Sequence, residues 1–154
     1  MLKRMITTSA KQPLTPFHLA FPVRDLEVSR KFYGKVLGCR QGRELTGKWI
    51  DFDLFGHQIV CHQMIDPTIS SVVSKSQVDA HNVPIPHFGV VLEWNTFHKW
   101  ADHLRSNNIK FEIEPTTRFV GLPGEQSTMF FLDPSGNALE FKTFKDPSKL
   151  FATE

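Results

Sequence analysis

Pro16-Phe17-His18-Leu19-Ala20-Phe21 and Pro86-His87-Phe88-Gly89-Val90-Val91 repeat one arrangement: a proline, then a histidine just inside an apolar run of strand character. A third apolar run, Asn137-Ala138-Leu139-Glu140-Phe141, carries a carboxylate. Burying an unpaired charge costs on the order of a few kcal/mol, so a glutamate in such a run points to a partner. Two imidazoles and one carboxylate form the facial set that holds Fe(II) and leaves positions open for substrate and oxygen. His18, His87 and Glu140 are therefore the candidate metal ligands.

The sequence following each histidine matches as well. After His18, Asp25 is suited to cap a helix. Leu26, Phe32, Tyr33 and Val36 then fall near helical spacing, and Leu37-Gly38 supplies the stop. After His87, Phe97, Trp100, Ala101 and Leu104 recur at i, i+3, i+4 and i+7, and Asn107-Asn108 ends the pattern. Strand material follows each helix. In the first half it is Trp49-Ile50-Asp51-Phe52-Asp53-Leu54-Phe55, the Gly56-His57 turn, and Gln58-Ile59-Val60-Cys61-His62. In the second it is the run from Lys110, then Thr128-Met129-Phe130-Phe131-Leu132, and Ala138 onward across an Asp133-Pro134-Ser135-Gly136-Asn137 turn. This organisation predicts an α+β fold of two βαβββ modules, residues 15–65 and 84–145. The linker at 66–83 is polar and aperiodic and reads as a loop, with a short helix around Ser71 to Ser76. Residues 1–14 read as a loosely tethered tail without a secretory signal, and 146–154 as a C-terminal tail.

The 154 residues suit one domain; 40% are hydrophobic, 14 are phenylalanine, and the net charge is +2. Without a basic cluster, nucleic acid is not an expected partner. No apolar run approaches the roughly 20 residues of a membrane span. Cys39 and Cys61 are too few for a disulfide framework and read as reduced, buried thiols of a cytoplasmic protein.

The chain resembles the vicinal oxygen chelate superfamily, which includes glyoxalase I, type I extradiol dioxygenases, and bleomycin- and fosfomycin-resistance proteins. The resemblance lies in Phe17-His18-Leu19-Ala20-Phe21-Pro22-Val23, Phe32-Tyr33-Gly34-Lys35-Val36-Leu37-Gly38 and Phe131-Leu132-Asp133-Pro134-Ser135-Gly136-Asn137-Ala138-Leu139-Glu140. Trp49 to Gln58 and Gly121-Leu122-Pro123-Gly124-Glu125-Gln126 are similar to a small group of predicted extradiol-dioxygenase-family proteins. The resemblance implies modules whose mixed sheets curl into a glyoxalase-like cleft around one metal, with His18, His87 and Glu140 as ligands. Glyoxalase I-like members add a fourth ligand from the first module; aligning the two modules puts Val60 there, and valine binds no metal. Type I extradiol enzymes carry a tyrosine about ten residues before the metal glutamate; this chain has Phe130.

These readings predict an Fe(II)-dependent, dioxygenase-like enzyme acting on a small oxygenated substrate, catechol-like or carboxylated. His62, on the face of Val60, is the catalytic candidate. Arg118, Gln126 and His57 are the substrate-binding candidates, Arg118 as a clamp for a carboxylate. One alternative is a glyoxalase-type isomerase or lyase using Zn, Ni or Mn; another is a drug-binding resistance module without catalysis. An exposed strand edge leaves room for a homodimer.

Overall fold

The computed structural model describes residues 14–66, 74–78 and 81–153. In the first module, β1 (His18–Val23) leads into a helical segment, α1 (Leu26–Ser29) continued by a π-helical stretch Arg30–Val36. Strands β2 (Arg40–Leu45), β3 (Trp49–Leu54) and β4 (His57–Gln63) follow. Next come β5 (Ser74–Val78) and β6 (His81–Ile85). The second module runs β7 (His87–Leu92), α2 (Trp94–Ser106), β8 (Phe111–Arg118), β9 (Gln126–Leu132) and β10 (Ala138–Phe144), closing on a 3-10 turn at Pro147–Phe151. Each module is an unclosed four-stranded sheet, ordered β1-β4-β3-β2 and β7-β10-β9-β8. In each, the first strand lies parallel to the last and the other pairs are antiparallel. The architecture is α+β.

Strand alternation sets the two faces of each sheet. β1 and β7 share one burial pattern: Phe21 and Val23 turn inward as Val90 and Leu92 do, while His18 and His87 stand exposed at the strand starts. The inward faces build a single core from both modules, in which Phe32, Tyr33 and Phe52 join Phe97, Phe131 and Phe141. The first helix starts as expected, with Asp25 Oδ1 accepting from the Val28 amide at 2.8 Å. It then widens to a π-helix where a regular α-helix was expected. The looser turn accompanies burial of the adjacent Phe32 and Tyr33 together. In α2, Phe97, Ala101 and Leu104 form the buried stripe that the spacing predicts.

The modules are joined by an exchange of turns. The Asp133 side chain is 4% exposed. Its carboxylate accepts from the Ser135 and Asn137 amides and Asn137 Nδ2, each at 2.8 Å, and from the Tyr33 hydroxyl of the first module at 2.9 Å. Asn137 Nδ2 also donates to the Pro22 carbonyl at 3.0 Å, and the Arg24 amide donates to Ser135 Oγ at 2.9 Å. In return, Phe55 in the β3–β4 turn meets Trp100 and Phe141 edge-on, at 5.5 and 5.7 Å between ring centres. Phe55 does this at φ 52°, a left-handed conformation that costs a non-glycine residue about 1 kcal/mol or more.

The segment between the modules departs from expectation. β5 and β6 form an antiparallel hairpin with Ser74 opposite Ile85. Residues 74–76 are therefore strand rather than helix, and 71–73 lie outside the described residues. The expected N-terminal tail also lies outside them, apart from its last residue. No helix among the described residues is long and apolar enough to cross a membrane.

Burial pushes the Cys39 thiol up to about 12 and the Cys61 thiol higher, so both stay protonated near neutral pH. Neither cysteine should react with an aromatic disulfide reagent at pH 8 until denaturant is added. Burial likewise raises the Tyr33 phenol far above its usual range, which keeps it a donor to Asp133. Tyr33→Phe removes that donor from a buried carboxylate and should cost about 1–3 kcal/mol in urea unfolding.

Candidate metal centre

Pairing in the second module brings two candidate ligands together. His87 lies opposite Ala138, and Gly89 opposite Glu140. His87 Nδ1 is 2.7 Å from the Pro84 carbonyl. A carbonyl only accepts, so Nδ1 carries the hydrogen. His87 Nε2 then faces Glu140 Oε2 at 3.2 Å. A neutral ring would present a lone pair to a carboxylate oxygen there, which is the arrangement a shared cation stabilises. The other oxygen, Glu140 Oε1, accepts from Thr128 Oγ1 at 2.5 Å and lies 3.8 Å from Lys142 Nζ. Phe130 pairs with Glu140 across the β9–β10 hairpin and meets the His87 ring edge-on at 5.1 Å. β7 must pass close to β10 here: a Cβ on Gly89 would lie 1.6 Å from the Glu140 carbonyl oxygen.

The first module repeats the pairing with different chemistry. His18 lies opposite Gln58, and Ala20 opposite Val60. Val60 thus occupies the position of Glu140, and the first module offers no fourth ligand there. His18 is exposed, with Nδ1 2.8 Å from Gln58 Oε1. Gln58 Nε2 donates to Asp51 Oδ2 at 2.9 Å. Asp51 is buried, and Arg43 Nε stands 3.7 Å from its Oδ2. His62, opposite Pro22, is exposed on the face of His18.

The remaining candidates divide. His57 Nδ1 accepts from the Phe17 amide at 3.0 Å, so this ring fixes the approach to β1. It also lines a hollow of about 280 Å³ with Arg40, Asp53 and Gln58. Arg118 ends β8 opposite Gln126, with its guanidinium 5.0 Å from the Phe119 ring centre. Gln126 shares a strand face with Thr128 and Phe130, about 13 Å from Phe130 along β9, and lines a hollow of about 660 Å³ with Phe119, Leu122 and Phe144.

Within one chain, His87 and Glu140 meet while His18 stands on the other sheet. No group of three His, Cys, Asp or Glu among the described residues is placed to hold an ion. Sequence reasoning passed over Thr128, Pro84 and the Gln58–Asp51 pair. Thr128 is signalled by the hairpin register that the Asp133–Asn137 turn fixes; the Pro84 contact has no comparable signal, because it depends on the path of β6 into β7.

This duplicated architecture has known relatives. The family model for the Glyoxalase/Bleomycin resistance protein/Dioxygenase superfamily matches residues 15–141. The chain belongs to that superfamily, the vicinal oxygen chelate group, whose members typically bind divalent metals. A glyoxalase/bleomycin resistance protein/dioxygenase from Alicyclobacillus acidocaldarius is 33% identical, with a TM-score of 0.70 over 92% of this chain and 100% of that one. A glyoxalase/dioxygenase from Nostoc punctiforme is 20% identical, with a TM-score of 0.63 over 90% of this chain and 100% of its own. A genomically encoded fosfomycin resistance protein from Listeria monocytogenes is 13% identical, with a TM-score of 0.64 over 92% of this chain and 100% of its own. The last two likenesses concern the fold. No curated protein matches the chain.

Gly89→Ala forces a methyl group into the β10 backbone. It should destabilise the second module by about 3 kcal/mol, read as a lowered denaturation midpoint.

Proposed function

We propose that this protein is an Fe(II)-dependent, dioxygenase-like enzyme, with His87 and Glu140 of one chain and His18 of a second copy as metal ligands. The observation that carries the reading is the His87–Glu140 pair, two donors converging at 3.2 Å with the imidazole already oriented by Pro84. The shared core and exchanged turns occupy the inward faces of both sheets, leaving His18 and His87 exposed at the starts of β1 and β7. A two-fold pairing of chains would set the face of β1 against that of β7 twice, completing two equivalent sites.

His18, His87 and Glu140 would hold the metal, which when bound would supply Lewis-acid charge to an oxygenated substrate and leave positions open. The chain's own residues do the rest. Pro84 and Thr128 fix the orientation of His87 and Glu140. Lys142, beside Glu140, and Arg118, at the end of the same sheet, attract an anionic substrate such as a carboxylated diol. Phe130 has no hydroxyl to move a proton, and in this reading the exposed His62, on the face of His18, is the acid–base group.

Anaerobic purification should yield one iron per chain, with oxygen uptake on a panel of catechols and hydroxy acids. Zinc or nickel without oxygen uptake would move the protein to the isomerase or lyase class. His87→Ala and Glu140→Gln should each lower metal affinity roughly 100-fold or more. Mixing His18→Ala chains with His87→Ala chains should restore up to about a quarter of the sites, because one of the two sites in each mixed dimer is intact. A site made within one chain gives no such recovery.

A further inference from the structure

We propose that Asp51 and Gln58 are positioning residues that hold His18 in the Nδ1–H form and so keep its Nε2 free to bind metal, an inference that rests on His18 being a ligand. The atoms leave one consistent assignment. A carboxylate accepts, so the Gln58 atom 2.9 Å from Asp51 Oδ2 is the amide nitrogen. The amide oxygen therefore faces His18 Nδ1 at 2.8 Å, and since it too only accepts, the hydrogen sits on Nδ1. An unconstrained neutral histidine side chain in water favours the opposite tautomer.

Comparison of the two modules shows why the relay exists on one side alone. Gln58 pairs with His18 as Ala138 pairs with His87, and Asp51 pairs with Val60 as Phe130 pairs with Glu140. The second module thus has apolar residues at both relay positions. His87 needs no relay, because the Pro84 carbonyl already fixes its Nδ1 hydrogen. His18 is held instead through Gln58.

The first module tolerates an unfavourable arrangement to do this. Asp51 is 5% exposed, and its Oδ1 has no hydrogen-bond partner among the described residues. A buried carboxylate oxygen left in that state destabilises a fold, so its presence here points to another purpose for the group. β2 makes room for it: a Cβ on Gly42 would lie 2.2 Å from Asp51 Oδ1. A strand that needed only packing would be better served by an apolar residue at position 51.

The test is imidazole nitrogen NMR on the full-length, metal-free chain, combined with Zn(II) titration. The native protein should show His18 as the Nδ1–H form. Gln58→Met should shift it toward the Nε2–H form and weaken Zn(II) binding about 10- to 100-fold, with the metal-free melting temperature lowered by the donor lost from Asp51 but the chain still folded at the titration temperature. Asp51→Asn retains an oxygen that can accept from Gln58, so it should preserve the His18 tautomer and weaken Zn(II) binding less than Gln58→Met does. An unchanged His18 tautomer and Zn(II) affinity in Gln58→Met, with His18→Ala still weakening binding, would overturn the relay while leaving His18 a ligand. Zn(II) affinity unmoved by His18→Ala would remove His18 from the metal set and the relay's purpose with it; the two failures are therefore distinguishable.

Discussion

A buried carboxylate is tolerable when its lone pairs are filled, and Asp133 meets that condition with three donors from its own turn and one from Tyr33. The same group closes the β9–β10 hairpin and reaches into the other module. Hairpin register then puts Phe130 opposite Glu140 and Thr128 opposite Lys142. The orientation of the candidate metal glutamate thus follows from a turn seven residues upstream, held by a phenol about a hundred residues away.

The same packing decides which surfaces remain for chemistry. The inward faces of both helices and of the strands are packed in one core, so the ligand-bearing starts of β1 and β7 stay exposed. Polar side chains on those faces are held by short local contacts, Pro84 to His87, Thr128 to Glu140 and Gln58 to His18. Each candidate ligand is oriented before any metal arrives, which lowers the cost of ordering it on binding.

Much of this was legible in the residues. The paired histidines, the α2 stripe, the Asp25 cap and the Asp133–Asn137 turn are local patterns, and local patterns survive folding. Val60 at the position of Glu140 follows from alignment of the two modules, and strand pairing places it there. β2 left little trace because all six of its residues are exposed and its side chains alternate nothing; Arg30, bonded to Glu44, ties it down across the helix. β5, Ser74-Lys75-Ser76-Gln77-Val78, is polar at four of its five positions and so gives no apolar alternation. The π-helix depends on neighbours that both seek the core. How the two modules meet is a tertiary matter. Repetition in a sequence announces two copies of a unit without saying whether their ligand faces converge within the chain.

The exchange of turns has a consequence for how the chain holds together. Phe55 of one half is seated against Trp100 and Phe141 of the other, while Asp133 of the second half is capped by Tyr33 of the first. Each half supplies a plug that its sibling's interior lacks. A lone half would expose aromatic surface and strand a carboxylate, so each half depends on the other. Contacts of this kind couple the two halves, so that loss of either half's packing weakens the other.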